Sequence, residues 1–186
     1  MTTSRSGNRS NTPSAQSGRR WARRLRRWSL EASILLAVLA GLHWYRAQPL
    51  IDGVAPALQG RLVEDNRLSG LQMPTDGPVL VHFWATWCPV CKLEEDRIDA
   101  LSQRYSVLSV AMQSGRADAI RAYLKERELS FPTIADPSGA IAAEWGVQAV
   151  PVSFILDRNG RIRFRSIGFS TGLGLRARLW LAAQGG

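Results

Sequence analysis

Apolar residues along this chain fall into short unbroken runs separated by stretches of helical spacing. Val79 to Trp84 is apolar except for His82, and Val107 to Met112 repeats the pattern. Runs this short and continuous predict strands buried on both faces. After the first run, Val90, Leu93, Arg97/Ile98, Leu101 and Tyr105 recur at three- and four-residue intervals and predict a helix. Ala117 to Glu128 reads as a second helix, with Ile120, Tyr123 and Leu124 on one face. Asp136-Pro137-Ser138-Gly139 is a turn, and Ile141 to Trp145 a short helix. Val152 to Leu156 and Ile162 to Ser166 predict strands, joined by the hairpin chemistry of Asp157-Arg158-Asn159-Gly160. Leu173 to Ala183 closes the pattern as a helix, with Leu175, Leu179 and Trp180 expected in the core. Strands alternating with helices, then a hairpin, imply an α/β three-layer sandwich with a mixed central sheet.

Ahead of this domain, expected over 59–186, the pattern changes. Residues 1–27 are polar and basic without apolar periodicity and read as a disordered tail. Trp28 to Tyr45 holds the most apolar stretch, Ala32 to Leu42, and at about 1.5 Å per residue reaches roughly 27 Å. It reads as one N-terminal transmembrane helix, with Trp28, Trp44 and Tyr45 as interfacial anchors. A cleaved signal peptide is the competing reading, but His43-Trp44-Tyr45-Arg46 lacks the small residues a cleavage site needs. Residues 46–58, with two prolines and a glycine, read as a tether.

Charge supports that topology. Of the net +9, residues 1–46 carry nine Arg against one Glu, and the remainder is nearly neutral. Arg flanking an apolar helix keeps its side cytoplasmic. The rest of the chain is then exported, a single-pass protein of the inner (cytoplasmic) membrane facing the periplasm. A near-neutral domain argues against nucleic acid as a partner.

The chain has two cysteines, Cys88 and Cys91, so both thiols belong to one local site. They stand where a buried strand passes into a helix. The thiolate is the nucleophile in disulfide exchange, and the free N–H groups and dipole of a helix start stabilise it. Pro89 sits where its missing N–H costs nothing. Cys88 is the expected attacking sulfur and Cys91 the more buried resolving one, together a redox-active disulfide that needs no cofactor. A zinc site needs four ligands, and only His43 and His82 remain to help, so no metal is assigned. A Cu(I)-binding module is the alternative, since two thiolates suit a soft ion.

The segment Phe83-Trp84-Ala85-Thr86-Trp87-Cys88-Pro89-Val90-Cys91 resembles the F-W-A-x-W-C-x-x-C signature of the thioredoxin superfamily, and the resemblance spans about Gly60 to Ala183. Within it the chain is most similar to the TlpA-like membrane-anchored group. Val107 to Gly115, Trp145 to Pro151 and Leu175 to Trp180 resemble the ScsD-like (suppressor of copper sensitivity) branch. The resemblance implies a thioredoxin-like fold and exchange of electrons with exported protein thiols and disulfides. It leans towards reductase, which in an oxidising compartment needs a membrane electron-transfer partner. Pro151 matches the family's cis-proline, which faces the cysteines beside a backbone, here Val150, that holds substrate. Trp87, Pro89 and Val90 are the expected docking surface, and Trp84 is core. Glu94 matches a glutamate that tunes the cysteines, or is an ordinary acid of a first helical turn. His82 stands where many members bury an acid; it replaces that acid or is a packed strand histidine, and packing is the reading adopted. Cytochrome c maturation thioredoxins often place a glutamate after the cis-proline, where Val152 and Ser153 stand here, which weakens that alternative role.

Overall fold

The computed structural model describes residues 50–71 and 75–185, together with Glu31, Ser33, Ile34 and Leu36. The expected tail lies outside the described residues. So does the expected membrane segment, apart from those four residues, which are helical and exposed. Among the described residues no helix is long and apolar enough to cross a membrane. The chain divides into two units, Met1–Gln48 and Pro49–Gly186, and the second carries the fold.

A two-stranded antiparallel ribbon, β1 (Gln59–Arg61) and β2 (Leu68–Gly70), precedes a five-stranded mixed sheet. Its strands are β3 (Val79–Trp84), β4 (Ser106–Met112), β5 (Thr133–Asp136), β6 (Val152–Leu156) and β7 (Ile162–Ile167), in the order β5-β4-β3-β6-β7. β3, β4 and β5 run parallel; β6 lies antiparallel to β3, and β7 to β6. The helices are α1 (Pro89–Lys92), α2 (Glu95–Ser102), α3 (Ala117–Glu126), α4 (Ala140–Glu144) and α5 (Gly172–Gln184).

Every side chain of β3 is buried because the sheet is covered on both faces. Successive side chains alternate between the faces. Leu80 and Trp84 join a core with Ile98 and Leu101 of α2, Ile120 and Leu124 of α3, Leu175 and Leu179 of α5, and both cysteines. Val79, Val81 and Phe83 join a second core with Ala142, Trp145, Phe154, Leu50 and Leu58. Among the described residues, both cores are built from Leu50 onward.

The structure departs from the sequence pattern at four places. The expected tether is ordered from Leu50 on: Leu50 and Leu58 are core residues, Gly53 O accepts from Ile162 N, and Ala55 N donates to Gly160 O. Its apolar residues are too few to show periodicity, but they cover the sheet near β7. The helix after the cysteines breaks at Leu93–Glu94 into α1 and α2. The buried positions are then Cys91, Glu94, Glu95, Ile98 and Leu101, whereas Leu93 is 66% exposed. Two carboxylates in the buried stripe hid its true phase; Glu95 is held there by Tyr123 and Arg127. Trp180, expected in the core beside Leu179, points outward at 61% exposure. The short strands β1, β2 and β5 have three or four residues each, too few for periodicity to register.

Because Leu58 is fully buried, Leu58→Ala is expected to cost about 2–5 kcal/mol, read as a lower urea midpoint. An unchanged midpoint would show that the segment is a tether after all.

Candidate active site: the Cys88–Cys91 disulfide

β3 ends at Trp84, and the chain turns through 85–88 before α1 begins. Three contacts fix that turn. Cys88 N donates to Ala85 O (3.1 Å), Thr86 N to Ser114 Oγ (3.0 Å), and Trp87 Nε1 to Gln113 O (3.0 Å). The loop after β4 therefore holds the cysteine loop. Its own shape requires φ +48° at Gln113 and +87° at Gly115. The sequence marks 107–112 as a buried strand and 107–115 as a family likeness; the hydroxyl of Ser114 facing the cysteine loop is visible only in three dimensions.

Cys88 and Cys91 are joined as a disulfide with Cα atoms 5.3 Å apart. Cys88 is the N-cap of α1, Pro89 occupies its first turn, and Cys91 N donates to Cys88 Sγ over 3.1 Å. α1 is a single turn, so this N–H, rather than a long helix dipole, is what a thiolate on Cys88 would use. Both sulfur residues are buried, Cys88 at 3% and Cys91 at 2% exposure, so the expected difference in burial between them is slight in the disulfide. Around them the surface is apolar and open: Trp87 is 56% and Val90 38% exposed, and Pro89 is exposed beside them.

The Val150–Pro151 peptide is cis, and Val150 O lies 3.7 Å from Cys88 Sγ. Pro151 O accepts from Gly168 N (2.8 Å), tying this loop to the one that precedes α5. Of the expected substrate-facing residues, Trp87 lies in the turn before α1, Pro89 and Val90 in α1, and Val150 and Pro151 in the loop before β6, whose Val150 carbonyl reaches the disulfide.

Glu94 and His82 meet inside the domain. Glu94 is 1% exposed; Oε2 accepts from Ser170 N (2.8 Å), and Oε1 has no hydrogen-bond partner. His82, 2% exposed, places Nε2 at 3.7 Å from that Oε1, and its Nδ1 is hydrogen-bonded to Ser153 Oγ (3.0 Å). His82 is packed against a carboxylate on one side of its ring and a serine hydroxyl on the other. Glu94 stands at the N-cap of α2 with its side chain buried. Burial pushes the Glu94 carboxyl up from an ordinary 4.5 to about 7, partly opposed by the Ser170 N–H and the Arg97 guanidinium. Burial pushes His82 down from 6.5 to about 3. The pair is therefore held as neutral acid and neutral imidazole below neutrality. Among the described residues, no group of three or more His, Cys, Asp or Glu side chains gathers into a metal-sized cluster.

The chain has known relatives. The AhpC/TSA family model matches residues 51–165. A thiol:disulfide interchange protein DsbE homolog of Paracoccus denitrificans is 36% identical over 145 residues, covering 72% of this chain and 80% of the relative. The thiol:disulfide interchange protein DsbE of Escherichia coli is 34% identical over 164 residues, covering 79% of this chain and 85% of that protein. The crystal structure of a candidate DsbE from Chlorobium tepidum superposes with a TM-score of 0.64 at 25% identity, covering 72% of this chain and 99% of that one.

The buried pair makes a prediction about stability. Glu94 binds its proton more tightly folded than unfolded, so alone it lowers stability as pH rises from 4.5 to about 7. His82 binds its proton less tightly folded, so alone it raises stability from about 3 to 6.5. Between pH 4.5 and 6.5 the two slopes oppose each other. Urea unfolding across that window should show stability rising with pH in Glu94→Gln and falling in His82→Gln, relative to the wild type. Parallel pH profiles for all three proteins would refute the two opposed shifts.

Proposed function

Because the chain belongs to the AhpC/TSA family, with a thioredoxin-like α/β fold, we propose that it is a thiol–disulfide oxidoreductase working through Cys88 and Cys91 on protein thiols and disulfides. The observation that carries this reading is the disulfide at the start of α1, with the Cys91 N–H on Cys88 Sγ and the Val150 carbonyl beside it. The interchange activity in the names of its relatives supports it.

In the reducing direction the reduced pair starts the reaction. The Cys88 thiolate, stabilised by the Cys91 N–H, attacks one sulfur of a substrate disulfide. The S–S bond breaks, the far substrate sulfur leaves as a thiolate, and a Cys88–substrate mixed disulfide forms. Cys91 then loses its proton and attacks Cys88 Sγ. The second substrate thiolate leaves and takes up a proton, and the Cys88–Cys91 disulfide stands where the substrate's stood. Two electrons have moved to the substrate. Trp87 and Val90 supply the apolar contact, and the backbone at Val150 aligns an extended substrate segment. Glu94 tunes the cysteines from within.

The placement is part of the proposal. The apolar segment 28–45 with its Arg cluster supports a single-pass anchor in the cytoplasmic membrane, with the domain on the periplasmic side. Work as a reductase there requires electrons from a membrane partner, because the compartment is oxidising. The TlpA-like and ScsD-like assignment rests on the segments 107–115, 145–151 and 175–180.

Purified protein should catalyse reduction of a model protein disulfide by dithiothreitol. Cys88→Ser is expected to fall to the uncatalysed rate, and Cys91→Ser to accumulate a mixed disulfide through Cys88. Retention of the rate by Cys88→Ser would remove Cys88 as nucleophile. The direction is read by the potential of the pair against glutathione. A value near about −270 mV fits the reductase, and one near about −120 mV marks a strong oxidant.

A further inference from the structure

The segments around the disulfide are one-sided in charge. The cysteine turn with α1 (85–92), the loop after β4 (113–116), the loop before β6 (146–151) and the loop before α5 (168–171) contain no Asp or Glu. The next carboxylates along the chain, Glu94 and Glu95, are turned inside, and exposed Asp96 acts on Arg127. Three cations belong to these segments or follow them closely. Arg116 is paired with Asp118 (3.9 Å), and Lys92 lies over the Tyr123 ring of α3 (6.0 Å to its centroid). Arg97 makes no ion pair among the described residues.

Arg97 is nevertheless held in place. Its NH1 donates to Leu93 O (2.5 Å), and its guanidinium carbon lies 5.1 Å from the centroid of the Phe169 ring. Its stem passes Gly172 at the start of α5, where an added Cβ would meet Arg97 Cδ at 3.7 Å. The other N–H donors of the fork have no partner among the described residues. Phe169 is 47% exposed although both of its neighbours are fixed. Gly168 N donates to Pro151 O (2.8 Å), and Ser170 N to Glu94 Oε2 (2.8 Å). An aromatic ring is thus pinned in water between the cis-proline loop and α2, with a guanidinium set against it. The two offer an apolar contact and a positive charge that need little further ordering.

We propose that Arg97 and Phe169 set the substrate class of the exchange reaction proposed above, on which this reading rests: disulfides whose cysteine has an apolar residue and a carboxylate within about four residues. In the mixed disulfide the substrate sulfur is bonded to Cys88, so the substrate chain has to lie across the surface around Cys88. The Val150 carbonyl at 3.7 Å from Cys88 Sγ, and the Pro151 carbonyl bonded to Gly168 N, lead from the sulfur to Phe169. Cys88 and Arg97 stand nine positions apart along α1 and α2, about 14 Å at the helical rise, and about four extended residues span as much. An acidic group there meets a fixed guanidinium and has no carboxylate of the protein to displace. A basic group is repelled. Such a charge acts mainly on the rate of encounter, and salt screens it.

The probe is a series of synthetic peptides, each with a single cysteine joined to 2-nitro-5-thiobenzoate, reacted with the reduced full chain. The Cys88 thiolate attacks the peptide sulfur, the S–S bond breaks, and thiobenzoate, the better leaving group, departs as a coloured thiolate. Cys91 then loses its proton and attacks Cys88 Sγ, and the peptide leaves as a thiolate that takes up a proton. The peptides carry Leu at the second position from the cysteine and Glu, Gln or Lys at the fourth, in one set after the cysteine and in another before it. In one set the Glu peptide is expected to react about tenfold faster than the Lys peptide at low salt, with the ratio falling towards one at high salt. Arg97→Gln should bring that ratio to about one, and Arg97→Glu should invert it. Arg97 also acts on the Glu94 carboxyl, so the readout is the ratio between peptides within each variant, which a general change in the cysteines does not move. Phe169→Ser should slow the Leu peptides by about threefold relative to peptides with Ser in that position. Lys92→Gln should keep the Glu-to-Lys ratio. Equal rates on the Glu and Lys peptides in both sets overturn the proposal. A preference that survives Arg97→Gln, or is lost in Lys92→Gln, overturns it as well. Release from every peptide no faster than by free dithiothreitol would count instead against the proposed function.

Discussion

The Cys91 N–H that donates to Cys88 Sγ is available because a buried strand ends and a helix begins within five residues of each other. That junction depends on the rest of the domain. β3 is enclosed by β4 and β6 and covered on both faces, so its end is rigidly placed. The loop after β4 then clamps the cysteine turn through Ser114 and Gln113. The Val150 carbonyl arrives from the other side because β6 runs antiparallel to β3 and starts where β3 ends. Pairing of Phe83 with Val152 sets that register, and the residues just before Val152 must then lie against the cysteines. The geometry of the sulfurs is thus a product of sheet topology, with α1 itself contributing only one turn.

Beneath this site the domain buries two ionisable side chains. Burial disfavours the charged form of both His82 and Glu94, so the fold holds them as a neutral imidazole and a neutral acid side by side. Ser153 and the Ser170 N–H satisfy the outer atoms, while Oε1 of Glu94 has no hydrogen-bond partner and lies 3.7 Å from the imidazole. The break between α1 and α2 turns Glu94 inward and leaves Leu93 in solvent. A continuous amphipathic helix would have done the reverse. A local rule of patterning is therefore broken where the chemistry lies, as expected for a functional site.

Much of this was legible in the sequence. β3, β4, β6, β7 and α5 follow from unbroken apolar runs, turn residues and helical spacing, because long-range burial leaves a strong periodic trace. The cysteine pair and Pro151 were legible as a motif. Three kinds of feature were not. Glu94 and Glu95 are buried against the grain of their charge, and only their partners, far along the chain, explain them. Ser114 and Ser170 each reach the site through a hydrogen bond, to Thr86 and Glu94, whose partner lies tens of residues away. Trp180 carries the apolar mark of a core residue but faces outward, because Leu175, Leu179 and Ala182 already complete the inner stripe of α5. Sequence alone assigns an apolar residue to the core whenever its helical position is ambiguous.

The proposed function depends on Cys88, at the start of α1, being the reactive sulfur. The most direct measurement is the pH dependence of alkylation of the reduced protein, with each cysteine followed separately by mass spectrometry. The account predicts that Cys88 is alkylated first, with an apparent pKa below the ordinary value of about 8.5, and that Cys91 reacts more slowly across the range. Alkylation of Cys91 first, or equal rates with both thiols at the ordinary value, would contradict it.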